Sequence, residues 1–230
     1  MDTIELLTCF GLTRQEATLY LALNQEGSLT GYEAAKHTGI SRSNTYTALA
    51  GLVDKGAALV MESKATHYVP VPVEEFCQNK IKRLSQMAEQ LARAIPARAA
   101  LPAGYITVKG SRHILEKAAN IIAQAQRRVY LSAGEPVVSQ LGPTLASLAA
   151  AGKKVVVITS SPETIAGARV YRAKVPAGQI RLIADSCRVL TGDVADSAST
   201  CLYSEKQNLV DLIKDTIKNE IKLIKLENEK

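Results

Sequence analysis

The stretch Ser41-Arg42-Ser43-Asn44 gathers four hydrogen-bonding side chains, and Tyr46 and Thr47 follow almost at once. Arginine can fork onto guanine and asparagine onto adenine, so the cluster suits the reading of base edges in the major groove of DNA. Ser41 is also a helix N-cap type, and a helix N-terminus attracts a phosphate. An ordinary capped helix with a solvated first turn would use the same residues. Lys64 and His67 form a second polar site further along, suited to contact with the phosphate backbone.

Other chemistry finds little support. The four cysteines, Cys9, Cys77, Cys187 and Cys201, show no CxxC spacing, and no metal site or cofactor is expected. They read as small core hydrophobes, with redox sensing by Cys187 and Cys201 the alternative. The segments "KGSRH" and "SAGEP" lack P-loop spacing, and neither GxSxG nor HExxH occurs. With no signal-peptide pattern and no long apolar run, the chain reads as cytoplasmic, with no membrane partner.

Charge is uneven along the 230 residues, whose net is +6. Residues 1–72 hold five Lys/Arg against seven Asp/Glu, whereas residues 104–203 hold twelve against six. A nucleic-acid partner is therefore served in the first segment by few cations: Arg14, Lys36, Arg42, Lys55 and Lys64.

The elements that must carry these residues are legible. Thr13 with Glu16, and Thr30 with Glu33, fit the capping box, which predicts helices over 13–25 and 30–37. Gly39 offers a turn, and Ser41 caps a helix over 42–54 whose apolar stripe is Thr45, Leu49, Leu52 and Val53. Helix, glycine turn, helix is a helix-turn-helix, and segments 57–62 and 66–71 around Ser63-Lys64-Ala65 make a hairpin beside it. A winged helix-turn-helix over 1–72 is the expectation.

After Pro72, the residues Cys77, Ile81, Leu84, Ala88, Leu91 and Ile95 repeat with heptad spacing. This helix, in a segment 73–103, either pairs with a second copy through residues 73–95 or packs on the chain's own C-terminal part. "PARAALPAG" from Pro96 to Gly104 has linker composition. Over 104–230, strand-like runs at 104–109, 127–133, 153–160 and 180–184 alternate with helices at 111–125 and 136–151, which predicts an α/β domain with a largely parallel sheet. A last helix over 205–226 carries Leu209, Leu212, Ile213, Ile217, Ile221 and Ile224 on one side and docks by it.

The run from "LTRQEATLYLAL" through "TGISRSNTYTALAGLVDKGAALV" to "THYVPVPVEEF" resembles the TrmB-like transcriptional regulators over roughly residues 5–76. The C-terminal part is more loosely similar to the phospholipase D-like module that many of them carry. The resemblance implies an N-terminal winged helix-turn-helix, a linker helix and a C-terminal phospholipase D-like α/β domain, in a dimer that binds double-stranded DNA and answers to a small effector. Phospholipase D-like catalysis needs His-x-Lys, and His37, His67 and His113 all lack lysine two residues on. The enzyme reading, a DNA-tethered phosphodiesterase, is disfavoured on that ground.

Ligands of such sheets collect beyond the carboxyl ends of the strands. That rule nominates Ser132, Gly134 and Glu135, then Thr159, Ser160 and Ser161, then Asp185, with Arg112, Arg181 and Arg188 supplying cations for an anionic or sugar-type effector. Turn and capping chemistry explains each of these residues singly. A basic face supporting DNA, or a C-terminal domain that only dimerises, are the competing accounts.

Overall fold

The computed structural model describes residues 2–62, 65–96, 104–196 and 198–228. The chain divides into two compact units, Met1–Ala97 and Arg98–Lys230. The linker reading of 96–104 and the Ser63-Lys64 hairpin tip fall almost entirely outside the described residues.

In the first unit, α1 (Thr3–Cys9), α2 (Arg14–Glu26), α3 (Gly31–Thr38) and α4 (Arg42–Asp54) surround one core. Both capping boxes form: Thr13 and Thr30 accept from the amides of Glu16 and Glu33, whose carboxylates accept from the threonine amides at 2.6 and 2.8 Å. Ser41 caps α4 by accepting from the Asn44 amide. Thr45, Ala48, Leu49 and Leu52 are the buried side of α4. The wing is β2 (Ala58–Met61) and β3 (His67–Pro70), and β1 (Leu29–Thr30), too short to show in the sequence, joins antiparallel on the free side of β3.

Two contacts fix this unit from within. The Glu16 carboxylate, 6% exposed, also takes the Lys55 ammonium at 2.5 Å and so ties the start of α2 to the end of α4. Gly51 lies where any Cβ would collide with that carboxylate, so α2 and α4 approach closely only because the residue is glycine. Tyr20 donates to the Val71 carbonyl at 2.7 Å and stacks at 5.9 Å on Phe76, which is buried in the first turn of α5 (Val73–Ala94). Beyond Lys80, α5 is exposed along its length in the single chain, including Ile81, Leu84, Met87 and Leu91.

The second unit is a seven-stranded sheet in the order β4-β10-β9-β8-β5-β6-β7, built from β4 (Tyr105–Lys109), β5 (Arg128–Ala133), β6 (Lys154–Thr159), β7 (Arg169–Arg172), β8 (Gln179–Ala184), β9 (Arg188–Asp193) and β10 (Thr200–Ser204). The expectation of a largely parallel sheet is overturned: only β5 with β6 and β6 with β7 run parallel, and the other four pairings are antiparallel. The reason is local. Among the described residues, helices stand between strands as α6 (Ser111–Ala123) and α7 (Glu135–Ala150), while β8, β9 and β10 follow one another in antiparallel order with no helix between them.

The turn after β8 puts Asp185 and Ser186 at φ 52° and 57°, the left-handed pair that a tight hairpin demands. Helices α6 and α7 cover one face of the sheet over the larger core. Helix α8 (Gln207–Asn228) docks on the other through Val210, Ile217 and Ile224, with Leu209, Ile213 and Ile221 beside them. Leu212, assigned to this docking side in the sequence, instead faces solvent at 63% exposure.

Burial alone would raise the Glu16 carboxyl, but Lys55 and Thr13 outweigh it and hold it below the usual 4.5. A lowered folded pKa contributes stability above the unfolded value and loses it as pH falls through the folded one. Resistance of the N-terminal unit to denaturant should therefore fall below about pH 4.5, and Glu16→Gln should flatten that dependence. Glu16→Ala should cost about 2–3 kcal/mol at neutral pH through the lost cap and charged hydrogen bond.

Candidate nucleic-acid interface and ligand crevice

Helix α4 is sorted cleanly around its circumference. Arg42, Ser43, Asn44, Tyr46, Thr47 and Ala50 are exposed, and the residues between them are buried. The Arg42 guanidinium lies 4.7 Å above the Tyr32 ring, which holds its long side chain at the rim of the helix rather than leaving it free. Lys36 and Arg42 line one groove between α3 and α4. Tyr46 packs against Gly31 so closely that a Cβ there would overlap its ring. Thr47 donates to the Ser43 carbonyl at 3.0 Å. The surface thus presents a cation, an amide, hydroxyls and an aromatic edge from successive turns, the mixture needed for base edges and flanking phosphates.

His67 opens β3 at the loop end of the wing, in register with Met61 on one side and Thr30 on the other, with Nδ1 2.9 Å from the Ala65 carbonyl. Lys64 lies outside the described residues. Lys55, counted in the sequence among the available cations, is spent on Glu16. The desolvated carboxylate that claims it lies thirty-nine residues away, too far for local pattern to reveal.

The ligand crevice nominated in the second unit does not assemble as expected. Ser132 lies near the carboxyl end of β5 and Ser160 follows the parallel β6, but Asp185 follows β8, which is antiparallel to β5, so it stands at the opposite end of the sheet. There its carboxylate accepts from the Gln126, Arg127 and Arg128 amides at 2.7, 2.8 and 2.9 Å and pairs with Arg188. Burial raises its carboxyl, and these three amides together with Arg188 overcome that and hold it low.

Ser132 is fully buried beneath α8, where its hydroxyl donates to Glu220 at 3.4 Å beside an Arg181–Glu220 pair at 3.6 Å. Ser161 is fully buried too, accepting from the Glu163 amide, while its carbonyl and those of Pro162 and Glu163 are gathered by Arg172. Ser160 and Glu135 remain exposed, and the Pro176-Ala177 carbonyls close over Gly134. Arg112 is engaged by Glu116. The sequence reading missed Glu220, the residue that brings Ser132 and Arg181 together; an isolated glutamate opposite a buried serine leaves no periodic signal.

His113 is exposed on α6, and Cys201 is a core residue whose burial, with the nearby Asp193 charge, pushes its thiol up to about 11. Among the described residues no cluster of three His, Cys, Asp or Glu side chains is placed to hold a metal, and no helix is long and apolar enough to cross a membrane.

Residues 6–74 match the family described as sugar-specific transcriptional regulator TrmB. The chain is 30% identical over 173 residues to the uncharacterized protein YrhO of Bacillus subtilis, covering 74% of this chain and 63% of that protein. It is 26% identical over 138 residues to the HTH-type sugar sensing transcriptional regulator TrmBL1 of Pyrococcus furiosus, covering 57% and 40%. The chain therefore spans less than two thirds of either relative. Among solved structures, the archaeal chromatin protein TrmBL2 is similar at 21% identity and TM-score 0.49, with 96% of each chain covered. NucT from Helicobacter pylori is similar at 13% identity and TM-score 0.42, covering 52% of this chain and 97% of its own.

If Asp185 is structural in this way, Asp185→Ala should destabilise the C-terminal unit by about 1–3 kcal/mol, the scale of charged hydrogen bonds lost to partly exposed amides. Asp185→Asn should recover part of that, since asparagine tolerates the left-handed turn. Chemical denaturation followed by circular dichroism measures both.

Proposed function

We propose, from the match of residues 6–74 to the TrmB family, that the chain is a DNA-binding transcriptional regulator that answers to a small anionic or sugar-type effector. The observation that carries the reading is the exposed tip of α4, where Arg42, Ser43 and Asn44 share one face with Tyr46 and Thr47 opposite a buried side of Thr45, Ala48, Leu49 and Leu52. That face enters a major groove, with Arg42 and Asn44 on base edges, Lys36 on a flanking phosphate, and Lys64 and His67 reaching the backbone from the wing.

Cations available for phosphate are few, because Lys55 is internal to the fold. One domain alone would bind weakly, and duplication in a dimer supplies the missing contacts. The α5 seam offers the means. Ile81, Leu84, Leu91 and Ile95 are each more than half exposed in the single chain, at heptad spacing, and a second copy of α5 buries them. Effector binding then alters DNA affinity by favouring one spacing of the paired α4 helices over another.

Arg42→Ala and Asn44→Ala should each lower specific DNA affinity by about 1–3 kcal/mol with the fold intact, whereas Lys64→Ala should weaken all sequences alike. Binding of genomically selected DNA, measured by fluorescence anisotropy, tests this, and unchanged affinity in both helix variants would refute it. Replacing Leu84 and Leu91 together with lysine should yield monomers by analytical sedimentation. The same variant should lose binding to paired half-sites, which are expected about 34 Å apart or a multiple of it.

A further inference from the structure

The basic excess of the second unit collects at the amino ends of its parallel strands, away from the crevice nominated above. β5 opens on Arg127-Arg128 and β6 on Lys153-Lys154, and the register sets Arg128 beside Lys154. Lys153 is spent on the Ala125 carbonyl, and Arg188 on Asp185 and Gln124. Lys154 stands 5.7 Å from the centre of the Tyr130 ring. Among the described residues, neither Arg128 nor Lys214 meets a carboxylate.

These groups surround a small cleft between the sheet and α8, about 80 Å³ in volume and open at its rim, so that it admits only a small ligand whose polar end stays at the mouth. Its inner wall is apolar: Ile183 and Ile217 are 2% exposed, and the half-buried Tyr130 ring lies with them. Its mouth is cationic, with Arg128 from β5 and Lys214 and Lys218 from successive turns of α8, the last shared with Asp215 at 3.0 Å. An apolar wall under a convergent set of cations selects a ligand that is itself divided, with a flat or ring-shaped apolar body and a doubly charged head. Two unpaired cations and a third at the rim match the charge and the oxygens of a phosphate monoester.

We propose that this cleft is the effector site and that it takes a small ring-bearing phosphate monoester, ring face on Tyr130 and Ile217, phosphate on Arg128 and Lys214. The inference rests on the regulator reading and gives it a ligand class and a place. Bound there, the ester joins α8 to β5 at the amino end of the sheet, while Glu220 already joins them further along through Ser132 and Arg181.

Calorimetric titration of the full chain with phenyl phosphate, inorganic phosphate and phenol tests the site. Phenyl phosphate should bind at least about tenfold more tightly than either fragment, since only it engages both halves of the cleft. Replacing exposed Arg128 and half-buried Lys214 together with alanine, neither being a core residue, should weaken it by about tenfold or more. Tyr130→Leu should bring it down to the level of inorganic phosphate. Equal binding of phenyl phosphate and inorganic phosphate, or an unaffected double variant, overturns the proposal. So does a double variant that loses DNA affinity and its salt dependence while keeping phenyl phosphate, because the rim would then serve a nucleic-acid backbone. Binding of genomically selected DNA by the same preparations separates the two readings: intact DNA binding without phenyl phosphate binding removes the cleft alone, and loss of sequence-specific binding removes the regulator.

Discussion

The carboxylate of Glu16 is asked to do two things at once. It closes the capping box at the start of α2, and it neutralises Lys55 at the end of α4. A charge this little exposed is tolerated only when fully paired, so the two elements cannot drift apart without stranding it. Gly51 completes the constraint from the other side by admitting the carboxylate where any side chain would exclude it. The orientation of α4, and with it the direction in which Arg42 and Asn44 point, follows from this one pair. Tyr20 and Phe76 extend the same rigidity to the wing and to the first turn of α5.

The price of that rigidity is charge. A domain proposed to meet DNA commits one of its few lysines to its own interior, and fewer cations are left at its surface. What remains at the surface is concentrated rather than abundant: Arg42 stacked on Tyr32, Lys36 in the same groove. Such an arrangement favours discrimination over raw attraction, because phosphate contacts supply affinity without sequence and base contacts supply sequence.

Much of the first unit was legible because its signals are local. Threonine and glutamate three apart announce a helix start, and α2, α3 and α4 begin where those pairs and Ser41 put them. The exposed face of α4 follows from period alone. The second unit was half legible. Its elements are legible wherever strand and helix alternate, through β6, and β8 and α8 are legible too, but β7, β9 and β10 have no helix between them to punctuate them, and the direction of the sheet does not show there. The absence of helical periodicity between 185 and 204 was the available clue to antiparallel turns. Site residues failed for a related reason: Asp185 acts on amides nearly sixty residues earlier, and Ser132 meets Glu220 across eighty-eight. Pairings of that span are decided by topology, which a periodic reading does not contain.

The placement of β4 beside β10 makes the opening strand of the second unit depend on its last. Tyr105 is in register with Ser204, and the Ser204 hydroxyl reaches back to the Gly104 carbonyl across one hundred residues. On a ribosome the first unit, held by short-range helical contacts, can close while its successor is still emerging. β4, with exposed Tyr105 and Ile106, has no neighbour until nearly the whole unit has been made. Closing so long a loop is entropically slow, and the waiting strand is an open edge meanwhile. The order of synthesis therefore delivers a finished first unit attached to an unfinished sheet, and that interval is when the chain is most exposed to misassociation and to chaperones.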